Sequence, residues 1–141
     1  MFASPYSSSP ARKAMLGNLY QQVHVESQLS GASPHHMVVM LFDGWMDAIA
    51  HGRGAMRSGN VLLKGQSLGR AVRIIEEGLR AGLDHHGGGQ LARDLNDLYG
   101  YLTLRLTVAN LRNDEAALDE CVRLMRPLQE AWAAIGPKAG A

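Results

Sequence analysis

Three residues able to ligate a metal, Asp43, Asp47 and His51, stand at i, i+4 and i+8 of the 141-residue chain. That spacing stacks side chains on one face of a helix, where two of them could share a cation. Metal sites in helical bundles instead draw Glu and Glu-x-x-His ligands inward from several helices. No matching set stands in the other helical stretches, and this trio falls opposite the apolar residues of its own segment. The pattern therefore predicts a solvated face and no metal. His35-His36 and His85-His86 are adjacent pairs, at a helix start and in a loop, and both read as solvated. Gly87-Gly88-Gly89 lacks the Lys-Ser/Thr of a phosphate-binding loop and follows no strand, so it reads as a turn. Cys121 lies on an apolar stripe and reads as a small buried hydrophobe, not a nucleophile. No Gly-x-Ser-x-Gly motif occurs. The residues predict neither catalysis nor a cofactor.

Composition narrows the remaining classes. Fourteen Lys and Arg face 13 Asp and Glu, a formal net charge of +1. Nothing in that balance favours nucleic acid or an anionic membrane as the main partner. One cysteine forms no intrachain disulfide and fits a reducing compartment. No apolar run approaches the ~20 residues that span a bilayer, and no charged n-region precedes an apolar run as in a secretory signal. The expectation is a soluble cytoplasmic protein with a single core.

The elements that position these residues are helical. Residues 1–14, rich in Ser and Pro, read as a flexible tail. The single domain is expected over 15–136, with a short tail at 137–141. Weak helical spacing at Met15, Leu19, Gln22 and Val23 predicts a short N-terminal helix. Four stronger segments follow, over 34–58, 61–83, 90–112 and 114–135. Ser33 is placed to cap the first and Pro34 to open it. Leu68, Val72, Ile75 and Leu79 recur at helical spacing in the second. Leu91, Leu95, Leu98, Leu102, Leu106 and Ala109 do so in the third. Leu118, Cys121, Met125, Trp132 and Ile135 mark the fourth, in which Pro127 predicts a kink rather than a break. No segment alternates as a strand. Long helices joined by short turns predict an all-α fold, an antiparallel up-and-down four-helix bundle with an additional short N-terminal helix.

The first long helix carries more apolar surface than one core face needs. Val38, Leu41, Phe42, Trp45, Ile49 and Met56 share a core face. Beside it runs a flank of Met37, Met40, Gly44, Ala48 and Ala55. The second helix has a similar flank of Ala71, Ile74, Gly78 and Ala81, and the third one of Tyr101, Leu104, Val108 and Leu111. Such flanks have three uses: a groove for an amphipathic helix, close packing inside the bundle, or a homodimer seam. Pattern alone leaves these open.

At this point the chain resembles a known family. The matching stretches run from Tyr20-Gln21-Gln22-Val23-His24-Val25-Glu26-Ser27 through Ala32-Ser33-Pro34-His35 and Met40-Leu41-Phe42-Asp43-Gly44. Lys64-Gly65, Ile74-Ile75, Gly78-Leu79, Ala81-Gly82-Leu83-Asp84 and Gly88-Gly89 come next. Leu98-Tyr99-Gly100-Tyr101, Ala109-Asn110-Leu111-Arg112-Asn113-Asp114 and Ala131-Trp132 complete the set. Each motif is weak, but the ordered set resembles the flagellar secretion chaperones of flagellin. Phe42, Gln90 and Pro127 depart from the family's usual residues.

The resemblance implies a cytoplasmic bundle that binds the disordered C-terminal segment of flagellin, prevents premature polymerisation, and aids delivery to a component of the flagellar export gate. Other flagellar regulators would share the surface. It implies no catalysis and no cofactor, and it favours the groove among the three uses, with a dimeric structural protein as the alternative. The expected lining is Met37, Met40, Gly44, Ala48, Ile74, Tyr101, Leu104 and Val108, with Arg105 and Asn110 at the rim. Tyr20 and Val23, on the N-terminal helix, are expected to cover part of the groove until client displaces them.

Overall fold

The structure, a computed structural model, describes residues 33–136. The expected tails, the N-terminal helix, and Tyr20 and Val23 lie outside the described residues. The described chain is all-α, with four helical segments and, among the described residues, no strand.

Local chemistry sets the ends of each helix. Helix α1 spans Pro34–Ser58; Ser33 Oγ accepts from the His36 N–H at 3.2 Å, and Pro34 occupies the first turn. Gly59, at φ 73°, ends it, and the Asn60 N–H returns to the Ala55 carbonyl at 2.9 Å. Glycine takes this left-handed conformation without the clash a Cβ would bring. Helix α2 opens under Asn60, whose Oδ1 accepts from the Leu63 N–H at 3.1 Å. It is α-helical over Val61–Arg73 and continues through Ile74–Arg80 with its hydrogen bonds widened to i→i+5. It therefore stops at Arg80, short of the expected end near 83. Asp84 then builds the turn: its carboxylate accepts from the His86 and Gly87 N–H groups and its carbonyl from that of Gly88.

Helix α3 spans Gly89–Arg112 and ends at Asn113, at φ 52°. Helix α4 spans Glu115–Ile135 under an Asp114 cap that accepts from the Ala117 N–H at 3.2 Å. Pro127 stands inside α4 without dividing it. Its ring faces solvent, where water can reach the carbonyl it leaves unbonded.

Every helix contributes to one core. Trp45 from α1, Leu68 and Ile75 from α2, Leu102 and Leu106 from α3, and Leu118 and Met125 from α4 are fully buried. Burial of each such side chain is worth roughly 1.5–3 kcal/mol. Neighbouring helices pack in sequence order, and α1 also packs on α4.

Polar groups tie opposite ends of the helices together. Late in α1, Arg53 meets Glu115 at 3.0 Å and Asp119 at 2.7 Å, early in α4. Arg57 reaches Glu115 at 2.8 Å. At the other end, His35 Nε2 bonds the Trp132 carbonyl at 2.8 Å, while Trp132 Nε1 donates to the His35 carbonyl at 3.1 Å. Their rings stack with centroids 5.4 Å apart. Near the start of α2, the buried Lys64 ammonium donates to the Asn110 carbonyl at 2.8 Å and Asn113 Oδ1 at 2.7 Å. It thereby neutralises the negative end of α3.

Three expectations are corrected here. His35 is buried, not solvated, because the close of α4 covers it; His36, His85 and His86 are exposed. Ala48, Ala55, Ala71 and Gly78, assigned to outer flanks, are buried inside the packed helices. Small side chains let α1 and α2 close on one another. A Cβ on Gly78 would lie 3.0 Å from Leu41 Cδ2, and one on Gly44 3.6 Å from Ile74 Cδ1. Leu91, expected on the core stripe of α3, is exposed near the helix start, whereas Tyr99 is buried.

Candidate functional site

The buried flank of α1 leaves the open apolar surface elsewhere. On α3, Tyr101, Leu104 and Leu111 are exposed and Val108 is half-buried. Between α2 and α3 lies a cleft of about 280 Å³. Its α2 wall carries Gly65, Leu68, Gly69, Val72, Arg73, Glu76 and Glu77; its α3 wall carries Leu106, Thr107, Asn110 and Leu111. Leu68 and Leu106 are buried and form the floor, while Leu111 at the rim is 77% exposed. At a rise of ~1.5 Å per residue, the stretch from Gly65 to Glu77 extends about 18 Å, roughly three turns of helix.

The widened turns of α2 shape the charged end of this cleft. Glu76 and Glu77 are both buried there. The Glu76 carboxylate pairs with Arg80 at 3.0 Å and accepts from Thr103 Oγ1 at 2.9 Å. Arg80 Nε donates to Asn96 Oδ1 at 2.8 Å. Widened helical turns recur at functional sites because they re-aim side chains that a regular helix would place elsewhere.

The outer edge of α3 holds a second polar cluster. Tyr101 Oη donates to Glu120 Oε2 at 2.6 Å, and Arg105 Nε to Glu120 Oε1 at 2.7 Å. Those hydrogen bonds hold the Glu120 carboxyl below its ordinary range and push the Tyr101 phenol up. Tyr101 and Arg105 are thereby oriented across the α3–α4 edge beside the exposed Leu104.

The structure divides the residues expected to line a groove. Met37 and Ala48 are buried, and Ala48 belongs to the core. Gly44 and Ile74 face each other across the α1–α2 seam. Met40 is 37% exposed on α1, apart from the cleft walls. Tyr101, Leu104, Arg105 and Val108 share the outer face of α3, and Asn110 lines the cleft. Sequence reasoning missed Gly65, Gly69, Val72 and Thr107. Two mid-helix glycines one turn apart were the available signal.

The arrangement provides apolar area and fixed polar groups. Asp43, Asp47 and His51 are exposed, and Asp43 accepts from Gln129 Nε2 at 3.0 Å. Among the described residues, no three His, Cys, Asp or Glu side chains are grouped to hold a metal. The Cys121 thiol is buried and pushed up to about 12 by desolvation, so it is protonated at neutral pH. Among the described residues, no helix is long and apolar enough to cross a membrane. An apolar groove with a polar rim is a shape that can take the face of an amphipathic helix.

Comparison with known proteins converges on the same kind of task. The family model described as flagellar protein FliS matches residues 16–139. The flagellar secretion chaperone FliS of Salmonella typhimurium is 47% identical over 120 residues, covering 85% of this chain and 89% of the relative. That of Vibrio cholerae is 40% identical over 126 residues, 88% and 92% of the two chains. Flagellar secretion chaperone FliSB of Pseudomonas aeruginosa is 42% identical over 122 residues, 86% and 94%. These relatives are named as chaperones, not as enzymes, and the match runs through every helix that builds the cleft and the α3 face: the chain belongs to the FliS family of flagellar secretion chaperones.

Proposed function

We infer that this protein works in the cytoplasm as an export chaperone for flagellin. It binds the disordered C-terminal segment of that client, prevents premature polymerisation, and aids delivery to a component of the flagellar type III export gate. Its four helices form an antiparallel up-and-down bundle, a reading supported by the opposite helix ends joined at Arg53–Glu115 and His35–Trp132.

The observation that carries the reading is the open apolar surface of α2 and α3 in a chain of this family. The client segment folds into short helices on binding. One occupies the cleft beside Asn110, and the chain continues over Tyr101, Leu104 and Val108, with Arg105 at the rim. Coupled folding of this kind typically buries 1,000–3,000 Å² and spends roughly 2–5 kcal/mol on ordering the ligand. Apolar walls supply the gross energy, and the Tyr101–Glu120–Arg105 cluster supplies orientation. The proposed contacts therefore concentrate on α2 and α3; Gly44 and Ile74 face each other in the α1–α2 seam, and Met37 and Ala48 are buried.

Calorimetric titration with flagellin retaining or lacking its C-terminal segment tests this. Saturable binding with a negative heat-capacity change is expected only for the intact client. Equal binding to both forms, or binding to neither, would overturn it. Leu104→Asp and Val72→Asp probe the location, each reducing affinity while helical content is unchanged.

A further inference from the structure

Buried charged side chains of α2 tie the cleft to α3 at both of its ends. At one end the Glu76 carboxylate accepts from Thr103 Oγ1 at 2.9 Å. At the other, in the first turn of α2, Lys64 Nζ donates to the Asn110 carbonyl at 2.8 Å and to Asn113 Oδ1 at 2.7 Å. Both of its acceptors are neutral oxygens at the close of α3. Burying an ammonium is costly, and an apolar side chain of the same length would fill the place without that cost. What the cation supplies is a pair of directed bonds. The Asn110 carbonyl needs one of them: the N–H groups of Asn113 and Asp114, which would otherwise close on it, both bond Ala109. Asn110 and Leu111 line the cleft, whereas Lys64 and Asn113 do not. Lys64 therefore grips the α3 wall from beyond the edge of the cleft.

We propose that Lys64 is a positioning residue for client binding: its ammonium fixes the last turn of α3 against the first turn of α2 and so holds the cleft at one width before client arrives. The inference rests on the cleft being the client site, and it says what preforms that site. Leu68 and Leu106 at the floor are buried, but apolar packing is non-directional and leaves the separation of two helices adjustable. Hydrogen bonds to a charged donor are short and directed. With Glu76 tied to Thr103 at one end and Lys64 tied to the end of α3 at the other, the walls are set at two points. A site held in this way does not spend binding energy on ordering its own walls.

The test titrates the full chain calorimetrically with a flagellin C-terminal segment, under conditions where circular dichroism shows each protein fully folded. The forms are wild type, K64M, N113G, N113D and K64M/N113G. K64M removes the charge and both hydrogen bonds at nearly constant length. N113G removes one acceptor and leaves the cation, and glycine readily takes the φ of 52° found at Asn113. N113D keeps an acceptor in the same place. K64M is expected to weaken client binding about tenfold and N113G about threefold, the scale of losing hydrogen bonds to a charged group. N113D is expected to bind as wild type does, and K64M/N113G no more weakly than K64M, because both substitutions break the same tie. In the free protein, amide exchange in the last turn of α3 is expected to quicken in K64M and in N113G.

A role confined to stability would leave the affinity of the folded protein unchanged. Equal binding by wild type, K64M and N113G would therefore overturn the proposal while leaving the cleft as a client site. N113D binding as weakly as N113G would show that the lost acceptor is not the cause, and tighter binding by K64M would show that the tie closes the cleft against client. Either result overturns the proposal. Should K64M fail to fold, the comparison of N113G with N113D decides by itself. Wild type failing to bind the segment would overturn the client reading and this inference with it.

Discussion

Two glycines in α1 offer a direct measurement of how tightly α1 and α2 are closed. Gly52 and Gly54 are two residues apart in the same helix, and alanine at either removes the same backbone flexibility. Each substitution alone gains about 0.8–1.0 kcal/mol of helix propensity. Their surroundings differ. Among the described residues a Gly54 Cβ would meet nothing within 4 Å, whereas the Gly52 Cβ would lie 2.5 Å from Leu68 Cδ2 and 2.9 Å from Leu68 Cγ. Leu68 is 1% exposed and belongs to the hydrophobic core, so it has little room to rotate away. Overpacking of this kind costs about 1–3 kcal/mol. Because propensity cancels between the variants, the difference between Gly54→Ala and Gly52→Ala isolates that packing energy. Gly54→Ala is expected to be about 1 kcal/mol more stable than wild type, and Gly52→Ala neutral to about 2 kcal/mol less stable. Urea unfolding followed by circular dichroism measures both, with unchanged m-values confirming a common unfolded state. If the two variants shift stability in the same direction by the same amount, the claim that a small residue is required at this crossing is wrong.

Four further outcomes are expected. Trp132→Phe keeps a ring against His35 but removes the Nε1 donor to the His35 carbonyl; a loss of about 1 kcal/mol in denaturant unfolding is expected, and unchanged stability would mean that the two helix ends are not joined in solution. Hydrogen bonds first from Arg57, then from Arg53, lower the Glu115 carboxyl from 4.5. The unfolded chain thus binds more protons, so stability is present above the ordinary carboxyl range and is lost as pH falls through it; Glu115→Gln should flatten that acid limb of the stability curve, and an unaltered limb contradicts the pairing. Burial pushes the Tyr99 phenol from 10.0 up to about 12. Its contribution is complete below pH 10 and falls away as pH rises toward 12, so ultraviolet titration should show phenolate at Tyr99 arising late, and Tyr99→Phe should remove that part of the alkaline loss. Cys121 is buried with a raised thiol; disulfide reagents at neutral pH should label it only at the rate of unfolding, and rapid labelling of the native protein would contradict its burial.

Much of the secondary structure was legible because its signals are local. Ser33, Asn60 and Asp114 each accept from an N–H three residues on, within one turn of their own position. The leucine stripe of α3 identified Leu102 and Leu106 as core. The turn after α2 was visible in Asp84 and the glycines that follow. The widening of α2 over Ile74–Arg80 was not visible, since the same residues are compatible with a regular helix. The resemblance carried by ordered short motifs agrees with the family match, which draws on the same residues across the chain.

The candidate site was read less well, for a definite reason. Helical angles place Ala48 and Tyr101 alike on flanks beside a core face, yet Ala48 is 1% exposed and Tyr101 41%. A flank becomes seam or surface according to which helix lies beside it, and that neighbour is distant in sequence. His35 shows the same dependence: its burial follows from Trp132, 97 residues away. By itself, the sequence determined the four described helices, their caps and turns, and the family, because each is written in residues close together or in their order. The tertiary structure alone decided which small residues close the α1–α2 seam and which leave the α2–α3 cleft open. Packing is a property of pairs of surfaces, and one helix's periodicity describes only its own.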